Sequence, residues 1–70
     1  MLSGTAYKMV IRGEFDDRFA CLFDGMDMQR VEGTTVLTGN ADQAQLIGFV
    51  ERLGELGVEL VSLEQIKGGN

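Results

Sequence analysis

The chain has no histidine, no proline and a single cysteine, Cys21. Each absence removes a class of chemistry. A structural zinc site draws its four ligands largely from Cys and His, so none can be assembled here. One cysteine cannot close a disulfide within the chain, so no covalent staple holds the fold. Without proline, the punctuation falls to ten glycines. No apolar run approaches the roughly 20 residues that span a bilayer. Met1-Leu2-Ser3-Gly4-Thr5 puts no positive charge ahead of an apolar core. No signal peptide is expected there, and a cytoplasmic location is the expectation. An unpaired cysteine agrees with a reducing compartment.

Positive charge is also scarce. Six Lys and Arg face eleven Asp and Glu, for a net charge of -5. Lys8, Arg12, Arg18, Arg30, Arg52 and Lys67 are scattered and form no stripe. Phosphate contacts dominate nucleic-acid affinity, so no nucleic-acid partner is expected. An anionic membrane surface is disfavoured for the same reason.

What remains is a chain of 70 residues, 44% of them hydrophobic, which is enough for a folded globule. One domain over 1–70 is expected, with flexible ends at 1–5 and 67–70. A core of this size supplies only about 3–5 kcal/mol. With disulfide and zinc excluded, homo-oligomerisation is the remaining staple.

Tyr7, Met9 and Ile11 alternate with Lys8, Val10 and Arg12, the pattern of a strand. Asp16-Asp17 offers a helix N-cap and a first-turn acid, with Phe15 placed to staple onto the first turn. Phe19, Leu22 and Phe23 then share one face of a short helix, and Gly25 ends it in the C′ position. Met26–Val31 and Thr34–Thr38 read as strands around a Glu32-Gly33 hairpin, and Gly39-Asn40 breaks the second. Asp42 and Gln45 form a capping box ahead of an apolar stripe of Leu46, Phe49, Val50, Leu53 and Leu56. Gly57 closes that helix, and Val58–Leu63 is the last strand. Gly48 and Gly54 interrupt the helix, which close approach to the sheet or to a partner would offset.

The expected fold class is α+β: a ferredoxin-like βαββαβ sandwich, a four-stranded antiparallel sheet with two helices on one face. The opposite face would then be open. Val10, Val36, Val61 and Leu63 are assigned to it as an oligomer interface, since an uncovered aliphatic patch marks an interaction site.

No catalytic, cofactor-binding or metal-binding residue is assigned. Cys21 lies among acidic neighbours with no histidine near, so a buried structural thiol is expected. Met9, Met26 and Met28 at alternate strand positions are core filler, so soft-metal ligation is not expected. Asp16 and Asp17 are explained by capping, and Asp24 and Asp27 as solvated turn acids. Gly13–Cys21 can be laid against the phosphate loop of acylphosphatases, which share this fold. Asp17 then replaces the central glycine and Cys21 the arginine, so that function is not carried over.

Ile11–Phe19, Thr34–Gly39, Asp42–Phe49 and Leu56–Leu63 together resemble a group of small, uncharacterised bacterial proteins. In that group a strand, an acid-led short helix with aromatics and an Asp-Gln-Ala-led helix follow in this order. Phe19 and Phe23 stand where tryptophans are common in the group. The resemblance implies a bacterial single-domain protein and carries no function. The expectation is therefore a non-enzymatic, self-associating or protein-interaction module. The alternatives are a regulatory domain binding a small molecule at a dimer interface near Gly13–Asp17, and a cofactor-free enzyme of the dimeric α+β barrel kind using Tyr7, Arg12, Arg30 and a carboxylate.

Overall fold

The structure is a computed structural model that describes residues 5–23 and 25–66. The flexible ends expected at 1–5 and 67–70 fall outside these residues except at Thr5, which begins the first strand. Asp24 also lies outside them.

Strand β1 (Thr5–Arg12) pairs antiparallel with β3 (Thr34–Ala41) and β4 (Leu60–Gln65), and β2 (Met26–Val31) pairs antiparallel with β3. The sheet order is β2-β3-β1-β4. A 3-10 helix covers Asp17–Leu22, and α1 covers Gln43–Leu56. The architecture is α+β: a four-stranded antiparallel sheet with two helices.

The core follows strand alternation. Met9 and Ile11 of β1 pair with Leu37 and Thr35 of β3, and all four are fully buried. Met28 of β2 falls in the Met9–Leu37 row, and Met26 lies in the next row on the same face, opposite Gly39. Phe49 and Leu53 descend from α1 onto this face, and Phe23 meets Phe49 edge to face with ring centroids 5.2 Å apart. Both helical segments therefore feed one core. Burying a side chain of this size contributes about 1.5–3 kcal/mol.

Local signals operate as expected in several places. Asp42 accepts from the Gln45 N–H at 2.8 Å, and the Gln45 side chain accepts from the Asp42 N–H at 2.9 Å. Gly57 takes a left-handed φ of 73°, and the Val58 N–H returns to the Leu53 carbonyl. Glu32 (φ 40°) and Gly33 (φ 81°) are both left-handed, as a two-residue hairpin with a type I′ turn requires. Asp16 caps the first helical segment through the Arg18 N–H, and Phe15 stacks on Phe19 at 4.3 Å.

Other expectations are corrected. The first helix is 3-10 rather than α: the Phe19 N–H reaches the Asp16 carbonyl and the Phe23 N–H the Ala20 carbonyl, both three residues back. Six residues give the longer α-helical ladder little room to establish itself. Phe23 is its C-cap, so Gly25 (φ 87°) lies beyond the C′ position, in the turn to β2. Gly39-Asn40 does not break β3, which continues to Ala41. The last strand starts at Leu60, because Val58 is occupied in closing α1. Asp27 lies within β2 rather than in a turn, and its side chain is exposed. Cys21 is exposed, not buried.

Close approach to the sheet does not account for Gly48 and Gly54. A Cβ built at either position meets nothing within 4 Å, so no close packing within the chain requires them. Each weakens the helix by about 1 kcal/mol relative to alanine. Gly48→Ala and Gly54→Ala should each raise stability by about 0.5–1 kcal/mol. Urea denaturation reads this directly, and a lowered midpoint for either variant would contradict it.

Candidate functional site

Three surfaces stand out: the loop after β1, the open sheet face and the β4 edge. The loop is held from several sides. Gly13 donates its N–H to the Gly33 carbonyl at 2.7 Å, and Gly33 donates its own to Glu14 Oε2 at 2.7 Å. Arg30 on β2 donates to the Phe15 carbonyl at 2.7 Å and to Asp17 at 3.3 Å. Thr35, fully buried, donates its hydroxyl to the Gly13 carbonyl at 2.7 Å and accepts from the Phe15 N–H at 3.3 Å. Thr35 was legible in the sequence only as a β-branched strand residue. Its role depends on a partner 22 residues away.

Beside this loop lies a shallow open groove of about 490 Å³. Phe15, Phe19 and Leu22 make its apolar lining, with Glu14, Asp16 and Arg18 around them. Asp16 and Arg18 pair with one another at 3.3 Å. Exposed pairs of this kind contribute about 0–1 kcal/mol.

The open face is more polar than expected. One row across it reads Gln29, Val36, Val10 and Ser62, and the next reads Asp27, Thr38, Lys8 and Glu64. Val10 and Val36 are direct cross-strand neighbours, as an interface would need. Leu63 is not on this face. It pairs with Met9 and so shares the parity of the helix-covered side. Val61 is the residue left over where the β1–β4 register shifts between Val10 and Ile11. The bulge defeats simple parity counting along β4, which is why the four residues do not form one patch.

Leu63 and Val61 are nonetheless exposed, at 38% and 46%. Helix α1 lies over β3, and the β4 side chains from Val61 to Gln65 are exposed. Among the described residues, Val31, Ile47, Leu56 and Ile66 are the other large hydrophobic side chains at the surface.

The polar residues considered for catalysis do not converge. Tyr7 and Arg30 share the helix-side parity, whereas Arg12 takes the opposite face. Arg12 pairs with Glu59 at 2.9 Å, while Arg30 is committed to the loop. Among the described residues, no group of three or more His, Cys, Asp or Glu side chains could hold a metal ion. No helix among them is long and apolar enough to cross a membrane.

No curated protein and no solved structure matches the chain. A family model described as a domain of unknown function, DUF8691, matches residues 6–64. That span runs from β1 to β4 and takes in both helical segments, the clamped loop and the hairpin. On that match, the chain belongs to the DUF8691 family.

Proposed function

We propose that the protein is a non-enzymatic module that self-associates through its sheet, as a homodimer or higher oligomer. The observation that carries this reading is the pair of exposed aliphatic residues, Val61 and Leu63, on an uncovered edge strand. The small core supports it: eight buried hydrophobic side chains are all that the described residues bring together. Val10 and Val36 supply a second, smaller apolar spot on the open face. We read the topology as a ferredoxin-like βαββαβ unit whose first helix is reduced to a 3-10 segment; the order β2-β3-β1-β4 supports this. The exposed Cys21 thiol suits a reducing cytoplasm, where it would stay unpaired. The resemblance to bacterial proteins points to a bacterial cytoplasm.

Sedimentation velocity across a concentration series tests the reading. A species of twice the monomer mass at micromolar concentration is expected, and a monomer throughout would overturn it.

The groove beside Gly13–Asp17 favours a second reading, a regulatory domain that binds a small molecule there. Its lining of Phe15, Phe19 and Leu22 is apolar, with charged groups alongside. A thermal-shift screen with amino acids and common metabolites separates the two. A ligand that raises the melting temperature of the wild type but not of Phe19→Ala would support the second.

A further inference from the structure

We infer that the groove beside Gly13–Asp17 takes a small organic cation, an amine or guanidine carried on an aromatic or branched apolar body, and that this ligand displaces the Arg18 guanidinium from Asp16. The inference rests on the small-molecule reading of the groove and names the chemical class of its ligand.

The floor is apolar and fixed in place. Phe15 and Phe19 stack with ring centroids 4.3 Å apart and planes 15° apart, and Leu22 completes the apolar lining. Phe19 leans on Phe23 at 5.2 Å, and the fully buried Phe23 meets Phe49. The rings thus run from the groove into the core, so the floor needs little ordering when a ligand arrives. Phe15, Phe19 and Leu22 are half-buried, which leaves apolar surface for a ligand to cover. An aromatic ring is negative over its face and favours a cation there above an anion.

The rim favours the same sign of ligand. Glu14 and Asp16 set two carboxylates against one guanidinium, that of Arg18. The neighbouring Asp17 and Arg30 pair with each other at 3.3 Å and add no net charge. Backbone groups aim both rim carboxylates. Glu14 Oε2 accepts from the Gly33 N–H at 2.7 Å, and Asp16 Oδ1 accepts from the Arg18 N–H at 3.1 Å. Each carboxylate keeps a second oxygen that can accept a further donor. At Asp16 that oxygen, Oδ2, holds the Arg18 guanidinium at 3.3 Å. The Arg18 side chain is 91% exposed, so it can leave Asp16 for water at little cost. A ligand ammonium or guanidinium then replaces it while the apolar body covers the rings. A carboxylate ligand would have Arg18 alone to bind and two like charges to face. The groove is shallow and open, so a small ligand should bind with a Kd on the order of 1–10 mM.

An amide NMR titration of the full chain at neutral pH tests this with three probes of matched body: phenethylamine (a cation), 2-phenylethanol (neutral) and phenylacetate (an anion). Phenethylamine should shift the Phe15, Arg18, Phe19 and Leu22 amides and bind about tenfold more tightly than phenylacetate, with 2-phenylethanol between them. Asp16→Asn keeps a capping side chain and should weaken phenethylamine binding about threefold to tenfold. Arg18→Gln removes the competing cation and should tighten it about threefold. Phenylacetate binding as tightly as phenethylamine, or weaker phenethylamine binding in Arg18→Gln, overturns the cation and leaves the small-molecule reading standing. No shift at these four amides with any probe also overturns the cation, and the metabolite screen then decides the small-molecule reading by itself.

Discussion

Gly39→Ala is expected to destabilise the fold by about 1–3 kcal/mol, the usual penalty for overpacking a tight site. The reason lies in the approach of β2. A Cβ at Gly39 would stand 2.6 Å from the Gly25 carbonyl oxygen and 2.9 Å from Met26 Cα. Both are backbone atoms, so no side-chain rotation can relieve the clash. Either β2 must move off β3 or the turn at Gly25, already at φ 87°, must reshape. In a domain of this length, 2 kcal/mol lowers the melting temperature by roughly 8–16 °C. The same substitution at Gly48, where nothing lies within 4 Å, should move it upward. An unchanged or raised melting temperature for Gly39→Ala would show that β2 does not sit as close as described.

Thr35→Val should cost about 1–3 kcal/mol, although it keeps the shape of the side chain. The fully buried hydroxyl bonds both the Gly13 carbonyl and the Phe15 N–H. Valine fills the space and leaves both groups without that partner. Thr35→Ser keeps the hydroxyl and loses only a methyl group, so it should lie between wild type and Thr35→Val. Chemical denaturation gives the order, and amide exchange at Phe15 gives the mechanism. Phe15 should exchange faster in Thr35→Val than in Thr35→Ser. Equal exchange in the two variants would mean that Arg30 and Gly33 hold the loop without Thr35. The groove shares Phe15 with this loop, so its shape depends on the same hydroxyl.

What can be read from the chain alone depends on how far apart the deciding residues lie. The Asp42–Gln45 capping box, the Glu32-Gly33 hairpin, the left-handed Gly57 and the core parity of Met9 and Ile11 were all legible in advance. Each rests on residues within a few positions of one another, or on a period of two along one strand. The α+β class and the antiparallel pairing of four strands followed from their order.

The β4 surface was legible only in part. Val61 and Leu63 could be recognised as apolar residues in need of cover, because a chain this short has only a small core in which to bury them. Their face could not be read. The register shift opposite Val10 and Ile11 depends on how β4 leaves Val58, which is tied to Leu53, and on Arg12, whose N–H is bonded to the Glu59 carbonyl. The exposure of Cys21, the vacancy beside Gly48 and Gly54, the close approach at Gly39 and the clamp through Thr35 belong to the same kind. They are set by contacts between segments far apart in the chain, and no local period encodes them. Composition thus determined that this small, acidic chain can build neither a Cys/His zinc cluster nor a disulfide within itself. Only the tertiary structure, by setting α1 over β3 and leaving the side chains from Val61 to Gln65 exposed, decided where it stays uncovered.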